Sequence, residues 1–266
     1  MLVAHAAWTA PPSVFIATGL SLALFANGWL RLRLRGRADL APWSRVAIFG
    51  AGIFVVLAGI VSPIDTIGEH HLLWVHMLQH VLIGDLGIAL MVFAVRGPLL
   101  FFMVPPRMLG PVARDRDVRA IASFLLRPRV AFGLWVANIA IWHIPRLYID
   151  ALLHPYLHDL EHACWMFTGL LVWTLLIDPG GHRRLTPGGR IAMAAGMFAA
   201  GQVLTDVLVF SFHPLYPFYR GAYGFSARTD QQLAGVVMMV EQLLVLGTFA
   251  FLVLRPRLRH ARLATA

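Results

Sequence analysis

The chain has 266 residues, of which 59% are apolar and only 13% charged, and its mean hydropathy is +0.71. That combination excludes a soluble domain and makes a polytopic helical membrane protein the default. The net charge of +9 does not point to nucleic acid, because the arginines lie in short loops between apolar spans, where they set topology and meet anionic lipid heads.

A span needs about 20 mostly apolar residues to cross roughly 30 Å of hydrocarbon. Seven segments qualify, at 13–31, 44–62, 71–94, 129–146, 158–177, 190–211 and 232–254. The expected fold is an all-α membrane protein, a seven-transmembrane-helix bundle forming one integral membrane domain over residues 1–266. Pro and Gly mark the joints, as at Ser62-Pro63, Arg96-Gly97-Pro98, Asp178-Pro179-Gly180-Gly181 and Pro187-Gly188-Gly189. The first span is followed, not preceded, by arginines, which predicts a retained helix with its N-terminus outside. In that topology 19 of the 22 arginines fall inside and only Arg146, Arg220 and Arg228 outside, so the C-terminus is cytoplasmic. Trp29, Trp43, Trp74, Trp142 and Trp173 fall near span ends, where interfacial aromatics belong. Between the third and fourth spans, the stretch from Asp117 to Leu126 has an amphipathic pattern expected on the inner surface.

The single cysteine, Cys164, rules out an intramolecular disulfide and a cysteine-based metal cage. Any metal must be held by His, Met or carboxylate. Ten of the twelve histidines fall at the outer end of the spans. The third span opens on His70-His71 and runs through His76-Met77-Leu78-Gln79-His80, which places His76 and His80 on one helical face. After His143 and His154-Pro155, the fifth span repeats the device with His158-Asp159-Leu160-Glu161-His162. The sixth span carries Gln202, Asp206 and, at its outer end, His213. The seventh carries Asp230, Gln231 and Gln232 at its mouth, then Met238, Met239, Glu241 and Gln242. Intramembrane carboxylates such as Asp206 and Glu241 are functional candidates or protonated helix–helix contacts.

Imidazoles with thioethers suit copper, and imidazoles with carboxylate suit zinc or copper(II). A bis-His haem pairing through His80 is a further option, but the few small residues flanking spans three and five argue against porphyrin entry. His158-x-x-Glu161-His162 also matches the inverted zinc-peptidase motif in letters, a match easily met by chance in a His-rich chain.

At these residues the chain resembles the multi-span CtaG family of cytochrome c oxidase assembly factors, which is distinct from the single-span copper chaperone of the same name. The resemblance rests on His76-Met77-Leu78-Gln79-His80, on Ile144-Pro145-Arg146-Leu147-Tyr148 with Asp150-Ala151-Leu152, and on His154-Pro155, His158 and Glu161-His162. It ends with Pro214-Leu215-Tyr216-Pro217 and Asp230-Gln231-Gln232-Leu233-Ala234-Gly235. It implies a protein of the bacterial inner (cytoplasmic) membrane that serves assembly of haem–copper oxidases, plausible partners being an oxidase subunit or a copper donor at the outer face.

The reading that follows is an accessory protein, not an enzyme, that binds a metal through a His cluster at the outer membrane face. Copper is the expected metal and zinc the alternative. From spacing, His76, His80 and His162 are expected as the innermost ligands, His158 and His71 complete or capture, and Met77 is a soft candidate. Glu161 is expected to orient an imidazole by accepting its second N–H, with His143, Asp206 and Glu241 as polar support. Two other functions stay open: an intramembrane zinc-dependent hydrolase with an activated water, and a metal-free docking scaffold for an oxidase subunit.

Overall fold

The structure is a computed structural model describing residues 7–9 and 11–264, with side chains to Arg255. His5 and the side chains of Arg257, Arg259, His260 and Arg262 lie outside the described residues. Among those described, the fold is all helical, with no strand. Six helices are long and apolar enough to cross a membrane, and a seventh span is completed only if a bent pair of shorter helices is counted as one.

Helix α1 (Pro12–Leu34) and helix α2 (Trp43–Val61) form one core cluster in which Phe25 stacks on Phe49. The third span is built in pieces. Ser62 caps a short helix α3 (Pro63–His70), its hydroxyl accepting from Ile64 N–H, and Pro63 occupies the first turn. Residues 70 and 71 therefore end α3 instead of opening the span. Helix α4 (Leu73–Val81) then runs into a π-helical turn (Leu82–Leu86) and on into α5 (Gly87–Ala94). Such turns recur at functional sites.

Helices α6 (Pro98–Met103), α7 (Pro106–Arg114) and α8 (Arg116–Leu125) follow, and α8 takes up the amphipathic stretch expected near residues 117–126. Neither α7 nor α8 buries a residue. Helix α9 (Pro128–Trp142) has only 15 residues and meets α8 at a 66° bend. It stops before the expected 146 because Pro145 opens a separate short helix, α10 (Pro145–Leu153). Helices α11 (Pro155–Ile177), α12 (Pro187–Phe210) and α13 (Ala227–Ala264) supply the remaining spans. Trp142 and Trp173 are buried instead of lying at the lipid interface. Trp173 Nε1–H donates to Asp85 in the π-helical turn.

Two close approaches fix the position of the third span. A Cβ on Gly169 of α11 would stand 1.9 Å from the carbonyl oxygen of Gly84. The two backbones meet because neither residue has a side chain there, as small residues permit between membrane helices. Likewise, a Cβ on Gly68 of α3 would stand 2.9 Å from His76 Cα, so α3 rests directly on α4. The N-terminus of α4 is capped from a distance. Leu73 and Trp74 donate their N–H groups to the Asp230 carboxylate of α13, at 2.9 and 3.0 Å.

Candidate metal centre

The fold turns the paired histidines of α4 and α11 toward each other. His76, His80, His158 and His162 are all buried, and each offers a ring nitrogen within 4.8 Å of the other three. The rings of His76 and His80 lie 4.4 Å apart, those of His158 and His162 4.1 Å, and across the helices His76 faces His158 at 5.3 Å and His80 faces His162 at 5.6 Å. The i, i+4 spacing aligns each pair, and the Gly84–Gly169 crossing, one turn beyond His80 and nearly two beyond His162, brings the pairs together.

Surrounding groups assign the tautomers of two rings. His158 Nδ1 lies 2.8 Å from Glu69 Oε1, so Nδ1–H donates to the carboxylate and the Nε2 lone pair is free. That Nε2 is buried with no hydrogen-bond partner, as is His162 Nε2. Tyr219 donates its hydroxyl to Gly68 O at 2.7 Å, leaving its oxygen to accept from His76 Nδ1–H at 3.3 Å. Burial, aided by nearby carboxylates, holds the Tyr219 pKa well above its usual value, so it remains a donor. The His76 Nε2 lone pair then faces His80 Nε2 at 2.9 Å. Unpartnered buried nitrogens are costly. Here they converge on one point, and four imidazoles suit zinc, copper, iron or nickel. Ligands bound to one ion at about 2.0–2.1 Å stand roughly 3.4 Å apart in a tetrahedron, so the rings need only small adjustments. The residues present fit a metal ion.

Two carboxylates flank the cluster. Burial alone would push Glu69 up, but the hydrogen bond from His158 works against it and holds Glu69 below the usual carboxylate range. Glu161 Oε1 lies 3.5 Å from His80 Nε2. On the far side of α4, Gln79 donates to Asp65 Oδ1 at 2.6 Å and to Gly59 O at 3.1 Å, tying the helix to α3 and α2. Burial, reinforced by the Glu69 charge, raises Asp65 to about 6.

The other residues expected from the sequence stand elsewhere. His71 caps the end of α3 and packs its ring against Tyr223 at 5.9 Å, outside the four-imidazole group. Met77 Sδ faces His143 Nε2 at 3.3 Å. Glu161 approaches His80 and makes no hydrogen bond to the adjacent His162; the imidazole-orienting carboxylate is Glu69 on His158. Asp206 is exposed and accepts from Gln202 at 3.0 Å, away from the cluster. Glu241 lines a small cavity below His80 and also an apolar groove of about 900 Å³ between the third, fifth and seventh spans.

Sequence reasoning missed Glu69, Tyr148 and Tyr219. Glu69 stands beside His70-His71 but acts on a ring 89 positions away. The Tyr148 and Tyr219 hydroxyls meet at 3.2 Å, and Tyr216 donates to His143 O at 3.0 Å. The connection between α12 and α13, which holds Pro214-Leu215-Tyr216-Pro217, thus covers the site.

The family model described as "Cytochrome c oxidase caa3 assembly factor (Caa3_CtaG)" matches residues 23–260. No curated protein and no solved structure matches the chain.

Proposed function

Because the chain belongs to the cytochrome c oxidase caa3 assembly factor family, we propose that it carries a metal ion on His76, His80, His158 and His162 and presents it for oxidase assembly. The metal in this reading is copper. The observation that carries it is the buried convergence of four imidazoles, two with their outer nitrogens already engaged by Glu69 and Tyr219. Family membership makes it a multi-pass membrane protein with an oxidase partner. The arginine asymmetry supports placement in the bacterial inner membrane with the cluster at the outer face.

What the chain's own residues do is hold and balance the cargo. The four imidazoles bind it neutrally, Glu69 and Tyr219 keep ring nitrogens aimed inward, and Glu69 and Glu161 offset its positive charge in a poorly solvated site. Four protein ligands close a tetrahedral site, whereas a hydrolytic metal keeps one position open for water. The donor set therefore weighs against the zinc hydrolase. With Met77 turned away, softness no longer separates copper from zinc within the cluster, and the family's oxidase role favours copper.

Elemental analysis and an absorption spectrum of the purified protein in mild detergent, after loading with copper or zinc, test the reading. Copper bound at about one or more per chain is the expected result. Zinc held in preference to copper would favour the hydrolase, a Soret band would favour haem, and no metal after loading would leave a docking scaffold. Glu69→Gln keeps the shape of the side chain but removes the charge that accepts from His158. It should weaken metal affinity about 10–100-fold, read by competition with a chelator of known affinity. Unchanged affinity would remove Glu69 from the site.

A further inference from the structure

Below the four imidazoles, on the side facing the bilayer centre, lies a small cavity of about 30 Å³ bordered by Met77, His80, His143, Met238 and Glu241. His143 Nδ1 lies 2.8 Å from Ile139 O, so the ring proton sits on Nδ1. A neutral imidazole carries one N–H, and Nε2 therefore points a bare lone pair at Met77 Sδ, 3.3 Å away. A thioether sulfur has no proton to give. Both side chains are buried, Met77 at 1% exposure, and neither belongs to the four-imidazole group. Two acceptors facing each other in a dry site leave each uncompensated. His80 Nδ1, on the ring whose Nε2 faces His76, is also buried without a partner and belongs to the same cavity wall.

We propose that His143 Nε2 and Met77 Sδ form a second metal site, selective for copper(I), with the Met238 sulfur and His80 Nδ1 as its further donors. Thioether sulfur beside imidazole selects the soft cuprous ion over zinc, which the all-nitrogen cluster above does not do. Two donors on one ion at about 2.0–2.3 Å stand roughly 3–4 Å apart, the separation that His143 and Met77 already have. His80 belongs to both sites through opposite nitrogens. A neutral ring has a single lone pair, so it serves one site at a time, and a shift of its proton moves its lone pair from one site to the other. The inference rests on the copper reading for its purpose, while its donor set stands on its own.

The test is copper(I) and zinc stoichiometry of the whole protein in detergent without oxygen, with X-ray absorption at the copper edge. The wild type should bind about two copper(I) ions, part of the signal coming from sulfur, but only about one zinc. Met77→Leu with Met238→Leu conserves volume. It should lose the sulfur signal and about one copper while keeping its zinc, which also reports that it is folded. His158→Ala with His162→Ala should lose zinc yet keep sulfur-bound copper. A wild type with nitrogen-only copper, or a sulfur signal that survives the methionine substitutions, overturns the proposal. Sulfur-bound copper in a wild type that takes no zinc would sustain the second site and refute the four-imidazole one.

Discussion

The His76→Ala/His80→Ala variant should insert normally and bind no metal at the cluster. Removing one imidazole leaves three, and three protein ligands suffice to hold zinc in many sites. Removing both takes away every ligand from α4 and leaves only His158 and His162. Alanine is the best helix former, so α4 persists, and its cap by Asp230 and its tie through Gln79 are untouched. Zinc content should fall from about one equivalent to background. His71→Ala and His154→Ala are the matched controls. His71 packs on Tyr223, and His154 is exposed with its Nδ1 on Asp150 O, so both variants should keep full metal content. Stoichiometric zinc retained by the double variant would sink the ligand assignment. Loss in the His71 variant would return that residue to the site.

The second large effect is expected from Gly169→Ala. The added methyl would sit 1.9 Å from a backbone oxygen of Gly84. No rotamer change relieves a clash with backbone, so α11 and the π-helical turn must separate. Overpacking of this kind costs about 1–3 kcal/mol, and the rigidity of both partners puts Gly169 at the upper end. Because the same crossing places His80 against His162, the variant should also lose metal affinity. Gly133→Ala in α9 is the control. Nothing lies within 4 Å of its Cβ position, so it should be neutral or more stable by up to about 1 kcal/mol. The thermal unfolding midpoint in detergent, with metal content measured alongside, checks both. A Gly169→Ala protein as stable as the wild type would mean that the two helices do not meet there.

Much of the architecture was legible from hydropathy because a bilayer imposes it. Backbone polar groups in hydrocarbon must be satisfied within a helix, and a helix must reach across. The first, second, fifth and sixth spans therefore begin and end within a few residues of their expected limits. The third and fourth were harder to place. Hydropathy does not register Leu72 turning out of the helix between α3 and α4, and it runs through the Pro145 start of α10 as though the span continued. The four cluster histidines were legible as two i, i+4 pairs, a purely local property. Their pairing across the bundle was not, nor was the choice of Glu69 over Glu161 as the carboxylate that orients a ring.

By itself the sequence determined that this protein lives in a membrane, that its histidines gather at one end of the spans and its arginines at the other, and which helical faces carry imidazole. Those are one-dimensional facts, set by composition and by a period of 3.6 residues. Only the tertiary structure decided which faces meet. It set Gly84 on Gly169, moved Met77 from the imidazole cluster to His143, left His71 and Asp206 outside, and brought Glu69 and Tyr219 to rings they never adjoin in the chain. Helix crossings depend on where two backbones approach most closely, and that is fixed jointly by residues far apart in sequence.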